Sequence, residues 1–106
     1  MAEETEQNKA RIYIIEDEAL VARELKSRLR GLGYEVVGIA YGRAGLESAV
    51  EARPDLLLTD INLKDGDGIE LAQEINARWP VPVVFLTAYS DQATVSRAKR
   101  VAPYGY

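Results

Sequence analysis

The chain contains no cysteine and no histidine. Without cysteine it can form neither a disulfide nor a thiolate nucleophile, and without histidine it lacks the commonest general base and the commonest zinc ligand. Any metal it holds must be bound by oxygen, which points to Mg²⁺ or a similar hard cation. Positive charge is also short. Thirteen Lys and Arg stand against 17 Asp and Glu, a net charge of −4, which argues against a nucleic-acid groove or an anionic membrane surface. No apolar run reaches the length of a membrane span. Residues 1–8 are acidic and polar, lacking the basic start and apolar stretch of a signal peptide. The expectation is a cytoplasmic domain that binds neither nucleic acid nor membrane.

What is present is an alternation of two hydrophobic periods. At 106 residues the chain is expected to be a single domain, able to bury about two thirds of its unfolded surface. Residues 1–10 read as a flexible lead-in and 11–106 as the folded domain. Ile12-Tyr13-Ile14-Ile15, Leu56-Leu57-Leu58-Thr59 and Val83-Val84-Phe85-Leu86 are short continuous apolar runs, the pattern of strands buried on both faces of a parallel sheet. Residues 34–39 read as a further strand of lower apolarity. Between the strands, Val21, Leu25, Leu29 and Leu32 recur at helical spacing, as do Leu46, Ala49 and Val50, and then Ile69, Leu71, Ala72 and Ile75. Gly31 and Gly33, Pro54, and Trp79-Pro80 stop these helices. A weakly amphipathic helix is expected over 91–102, and residues 103–106 look like the opening of a fifth strand. Connections this short imply crossover units, hence an α/β fold with helices on both faces of a parallel sheet.

Acidic residues collect at strand ends. Glu16-Asp17-Glu18 follows the first strand and Asp60 closes the third, at the edge where open α/β sheets present their ligand crevice. Two carboxylates about 4 Å apart repel by roughly 4 kcal/mol at an effective dielectric near 20, so three in one crevice require a divalent cation or a proton. Mg²⁺ takes few carboxylates and leaves positions for water and phosphate oxygens. Asp60 is then a candidate nucleophile toward phosphorus, and Thr87, after the fourth strand, a candidate hydrogen-bond donor to the phosphoryl group. Competing structural roles exist. Asp60 could cap the following loop, and Thr87 could merely end a strand. Glu18 reads as an acid at a helix N-terminus, and Asp65 and Asp67 as turn and cap residues, since the other oxygen donors of a calcium loop are missing.

The segments Ile14-Ile15-Glu16-Asp17-Glu18, Pro54 through Leu63 with Gly68 following, Val84-Phe85-Leu86-Thr87-Ala88 and Gly105-Tyr106 together resemble the receiver domain of two-component response regulators. The resemblance implies a flavodoxin-like, doubly wound parallel sheet of strand order 2-1-3-4 with the fifth strand incomplete. It implies that Asp60 is the phosphoacceptor, that Glu16 and Asp17 bind Mg²⁺ with Asp60, and that Asn62 adds its backbone carbonyl. Thr87, Ala88 and Tyr106 match the switch positions, while Asn62 and Tyr89 match positions that tune acyl-phosphate lifetime. The implied partner is a histidine kinase or a phosphotransfer protein, and the implied chemistry is phosphorylation and dephosphorylation at Asp60 alone, not turnover of a substrate.

Two departures stand out. Lys64 occupies a position where the family often has proline. The Lys-Pro pair that follows the switch aromatic in the family is absent, because the sequence stops at Tyr106. That stop leads to the expectation of an exposed edge on the fourth strand and of homodimers formed through it. Two other functions compete: a degenerate receiver that acts only by binding or dimerising, and a hydrolase using an Asp nucleophile. The hydrolase reading lacks a second Asp two residues after the first, since Asn62 stands there.

Overall fold

Runs apolar on both faces need a layer of helix on each side. The computed structural model, which describes residues 9–86, supplies those layers. Strand β1 (Arg11–Ile15) leads into helix α1 (Ala19–Gly31), and β2 (Glu35–Ala40) into a short 3₁₀ turn (Arg43–Gly45) and α2 (Leu46–Ala52). Strand β3 (Leu56–Asp60) runs into a two-residue ribbon, β4 (Asn62–Leu63) and β5 (Gly66–Asp67), followed by α3 (Gly68–Arg78) and β6 (Val83–Leu86). The four long strands pair in parallel in the order β2-β1-β3-β6. This is the order expected, the ribbon alone shifting the numbering of the last strand. The lead-in 1–8, Thr87, Ala88, Tyr89, the helix over 91–102 and Tyr106 lie outside the described residues, whereas β6, the strand expected to carry the dimer edge, ends the order of the described sheet.

Alternation along the strands divides the core in two. Tyr13, Ile15, Leu57, Val83 and Phe85 face α2 and α3, where Ile69, Leu71, Ala72 and Ile75 close over them. Ile12, Ile14 and Leu58 face the other way and pack with Leu25 and Leu29 of α1. The first layer holds most of the fully buried side chains. Helix α1 keeps Leu25 and Leu29 of its expected face on the core and adds Ala22, its fully buried residue, but Leu32 lies past its last turn and is 74 % exposed. The chain must turn there to enter β2, and the main-chain N–H of Leu32 closes the helix onto Arg28 and Leu29.

Strand β2 carries a register shift opposite Ile12 and Tyr13. A side chain on Gly38 would lie 2.4 Å from the Tyr13 ring, so glycine lets the ring cross the neighbouring strand. The Tyr13 hydroxyl then meets Ser48 Oγ of α2 at 2.9 Å. At the far end of α3, Trp79 Nε1 donates to the Pro54 carbonyl at 2.8 Å, and Arg53 lies over the indole ring. No described helix is long and apolar enough to cross a membrane.

Candidate functional site

Register delivers the acids. Ile15 pairs with Thr59 across β1 and β3, so the next residue on each strand, Glu16 and Asp60, emerges level at the carboxyl edge of the sheet. Thr59 points into the core and is fully buried, whereas Asp60 is half-buried at the rim. Asp17 follows Glu16 into the bend before α1. One carboxylate oxygen from each of Glu16, Asp17 and Asp60 lies within 4.8 Å of the others. The crowding inferred from sequence is therefore realised in space.

Each acid is met by a backbone donor. Lys64 N–H donates to Asp17 Oδ2 at 2.7 Å, Asn62 N–H to Asp60 Oδ1 at 3.4 Å, and Glu18 N–H to Glu16 Oε2 at 3.4 Å. Neither of the two ion pairs found among the described residues, Arg43–Glu74 and Arg78–Glu47, touches the cluster. The negative charge is consequently met by N–H dipoles, which are weaker than cations. Glu16 shows the effect. Burial, then the Asp60 charge and a hydrogen bond shared with it, push its carboxyl up to about 7.

This donor set fits a hard divalent ion: all ligands are oxygen, they converge within one coordination sphere's reach, and the buried member resists ionisation while no cation is present. Of the residues singled out from sequence, Glu16, Asp17 and Asp60 meet, and Asn62 sits beside them through its N–H to Asp60. Thr87, Ala88 and Tyr106 fall outside the described residues. Asp67 is the N-cap of α3, its carboxylate accepting from Ile69 N–H at 2.8 Å and Glu70 N–H at 3.4 Å. Asp65 accepts from Arg43 N–H at 3.1 Å, a turn role. Glu18 precedes α1 as its N-cap residue but makes no side-chain cap.

Two contributors escaped the sequence reading. Gly68 opens α3 directly under the site, where a side chain would lie 1.8 Å from the Asp60 carbonyl oxygen. Its N–H donates to the Ile61 carbonyl at 2.7 Å, fastening the helix start to the end of β3. Its place after the Asp60 loop was visible; its contact was not. The Lys64 main-chain donor left one signal only, the presence at that position of a residue that retains an N–H. A nearby groove of about 600 Å³, lined by Arg43, Asp65, Glu70 and Glu74 among others, includes none of the three acids.

A family model described as response regulator receiver domain matches residues 12–106. The transcriptional regulatory protein PdtaR of Mycobacterium tuberculosis is 40 % identical over 97 residues, which cover 91 % of this chain and 47 % of PdtaR. The chain thus spans about half the length of that relative. Among solved structures, the signal receiver domain of a modulated diguanylate cyclase from Desulfovibrio desulfuricans superposes with a TM-score of 0.84 at 38 % identity, covering 93 % of this chain and 80 % of that one. The anti-anti-sigma factor PhyR from Bartonella quintana does so with a TM-score of 0.71 at 33 % identity, covering 82 % and 37 %.

Proposed function

Because the chain belongs to the response regulator receiver family, we propose that it is a phosphoacceptor module in which Asp60 takes a phosphoryl group from a phosphohistidine on a histidine kinase or phosphotransfer protein. The observation that carries this reading is the convergence of Glu16, Asp17 and Asp60 within 4.8 Å at the carboxyl edge of the sheet. Glu16, Asp17 and Asp60, with the Asn62 carbonyl, would hold Mg²⁺. When bound, that ion supplies positive charge against the acids and the phosphoryl oxygens.

An Asp60 carboxylate oxygen forms the new P–O bond as the donor's N–P bond breaks, and the departing imidazole nitrogen retains the bonding pair. The product is an acyl phosphate on Asp60. Orientation comes from the end of β3 and from the Asn62 N–H on Asp60 Oδ1, so the nucleophile is positioned before the donor arrives. Thr87, Ala88 and Tyr106 are assigned the response to the new group. On this reading the domain turns over no substrate other than its own aspartyl phosphate, and it works in the cytoplasm.

The test is incubation with Mg²⁺ and acetyl phosphate, followed by intact-mass measurement. The expected result is a gain of one phosphoryl group that disappears in Asp60→Asn; no gain, or an equal gain in that variant, refutes the proposal. A second reading, a module that acts by binding a protein, draws on the similarity to PhyR, described as an anti-anti-sigma factor. It predicts undiminished partner binding by Asp60→Ala.

A further inference from the structure

Of the three acids, Asp17 receives the shortest contact, 2.7 Å from the main-chain nitrogen of Lys64, a residue 47 positions away in sequence. Asp17 itself sits in a bend outside any strand or helix, so nothing in regular structure orients its carboxylate. Lys64, in contrast, is held from both sides. Leu63 before it is buried and pairs with Gly66 across the ribbon. Asp65 after it accepts from Arg43 N–H at 3.1 Å, and Arg43 in turn reaches Glu74 on α3.

We propose that the main-chain N–H of Lys64 is the positioning group for Asp17, holding Oδ2 and with it the orientation in which the carboxylate would meet the divalent ion. This rests on the reading that Glu16, Asp17 and Asp60 bind Mg²⁺. The physical reason is general: a carboxylate ligand free to rotate must be ordered when the ion binds, and an outer hydrogen bond that orders it beforehand strengthens binding, its removal costing about tenfold or more in affinity. Proline at this position has no N–H and cannot supply the bond. The identity of the side chain does not matter to this role; the presence of an amide proton does.

The experiment compares Lys64→Pro with Lys64→Ala in the full chain. Leu63 lies in a strand, the conformation that a following proline favours, and the N–H that proline removes is the one donated to Asp17. Mg²⁺ is titrated into each protein by calorimetry, with Tm in EDTA recorded alongside. Lys64→Ala is expected to bind Mg²⁺ as the parent does, and Lys64→Pro about tenfold more weakly. Equal affinity of Lys64→Pro and the parent within twofold, or equal weakening in both variants, overturns the positioning role. A loss of Tm in Lys64→Pro with unchanged Mg²⁺ affinity does the same, since that is what a purely structural bond gives.

Should Lys64→Pro fail to fold, amide exchange in the unaltered protein decides. The Lys64 N–H is expected to be protected in EDTA and to remain so when Mg²⁺ is added. Exchange at the rate of an unstructured amide overturns the proposal. If the parent binds no Mg²⁺ at all, the functional reading fails and this inference with it; if the parent binds and only the proline comparison disagrees, the functional reading stands alone.

Discussion

Replacing Glu16 by glutamine should stabilise the metal-free protein above neutral pH. Glu16 is 6 % exposed, and its carboxyl is pushed up from an ordinary 4.5 to about 7, first by burial and then by Asp60. Below pH 4.5 the group is protonated in both folded and unfolded chains and makes no difference. Between 4.5 and 7 the unfolded chain has released the proton while the folded one retains it. The unfolded state then binds fewer protons, and stability falls as pH rises. Above 7 the full cost is present. A gap of about 2.5 pH units at about 1.36 kcal/mol each sets a ceiling of roughly 3 kcal/mol. Half of that ceiling corresponds to a Tm gain on the order of 5–10 °C in a domain of this size. Thermal unfolding of parent and Glu16→Gln in EDTA at pH 5, 6, 7 and 8 should therefore show two curves that diverge with pH, the variant above. Saturating Mg²⁺ should reverse the order. An ion at 100 times its dissociation constant stabilises by about 2.7 kcal/mol, and the variant, lacking one anionic ligand, receives less. Parallel curves in EDTA would show that Glu16 is not strained by burial and Asp60, and a variant that remains the more stable in excess Mg²⁺ would show that it is not a ligand.

Gly68→Ala should destabilise the fold by about 2–3 kcal/mol in urea titration, because the added methyl would lie 1.8 Å from the Asp60 carbonyl oxygen and backbone must move to admit it; since the same carbonyl belongs to the proposed nucleophile, phosphorylation by acetyl phosphate should slow as well. Asp67→Ala removes the cap of α3 and should cost about 1 kcal/mol by the same titration, while Mg²⁺ affinity stays within twofold of the parent, because Asp67 is not among the three converging acids.

Much of this molecule could be read from residue order alone, and the reasons differ by element. The strands β1, β3 and β6 were legible because four-residue apolar runs buried on both faces have few alternatives in a chain with short connections. Helix α3 was legible from Ile69, Leu71, Ala72 and Ile75, all of which are buried. Helix α1 was less so. Its spacing suggested Leu32 as part of the buried face, but the chain leaves the helix before that residue, and the fully buried side chain of the helix is an alanine, Ala22. The ribbon at 62–67 was not legible, because two residues per strand carry no periodicity to detect. For the site, the acids were legible as types at strand ends, yet their partners were not: the donors on Glu16, Asp17 and Asp60 are main-chain groups, which every residue but proline possesses.

That the partners are main-chain groups bears on how the site can work. A lysine or arginine paired with Asp60 would compete with an incoming cation and would have to be displaced. Backbone N–H groups at 2.7–3.4 Å orient the carboxylates without neutralising them, so among the described residues the cluster is short of positive charge, as the raised Glu16 carboxyl records. The strand register makes that arrangement hard to relieve. With Ile15 opposite Thr59, Glu16 and Asp60 must emerge side by side, and a slip by one residue would turn Asp60 inward and Thr59 outward, exchanging a buried position for a charge. Leu57, Val83 and Phe85, all buried in the layer under α2 and α3, would be carried to the wrong face with a slip of their own strands. The fold therefore holds the acids together by the same alternation that fills its core, and the repulsion among them persists.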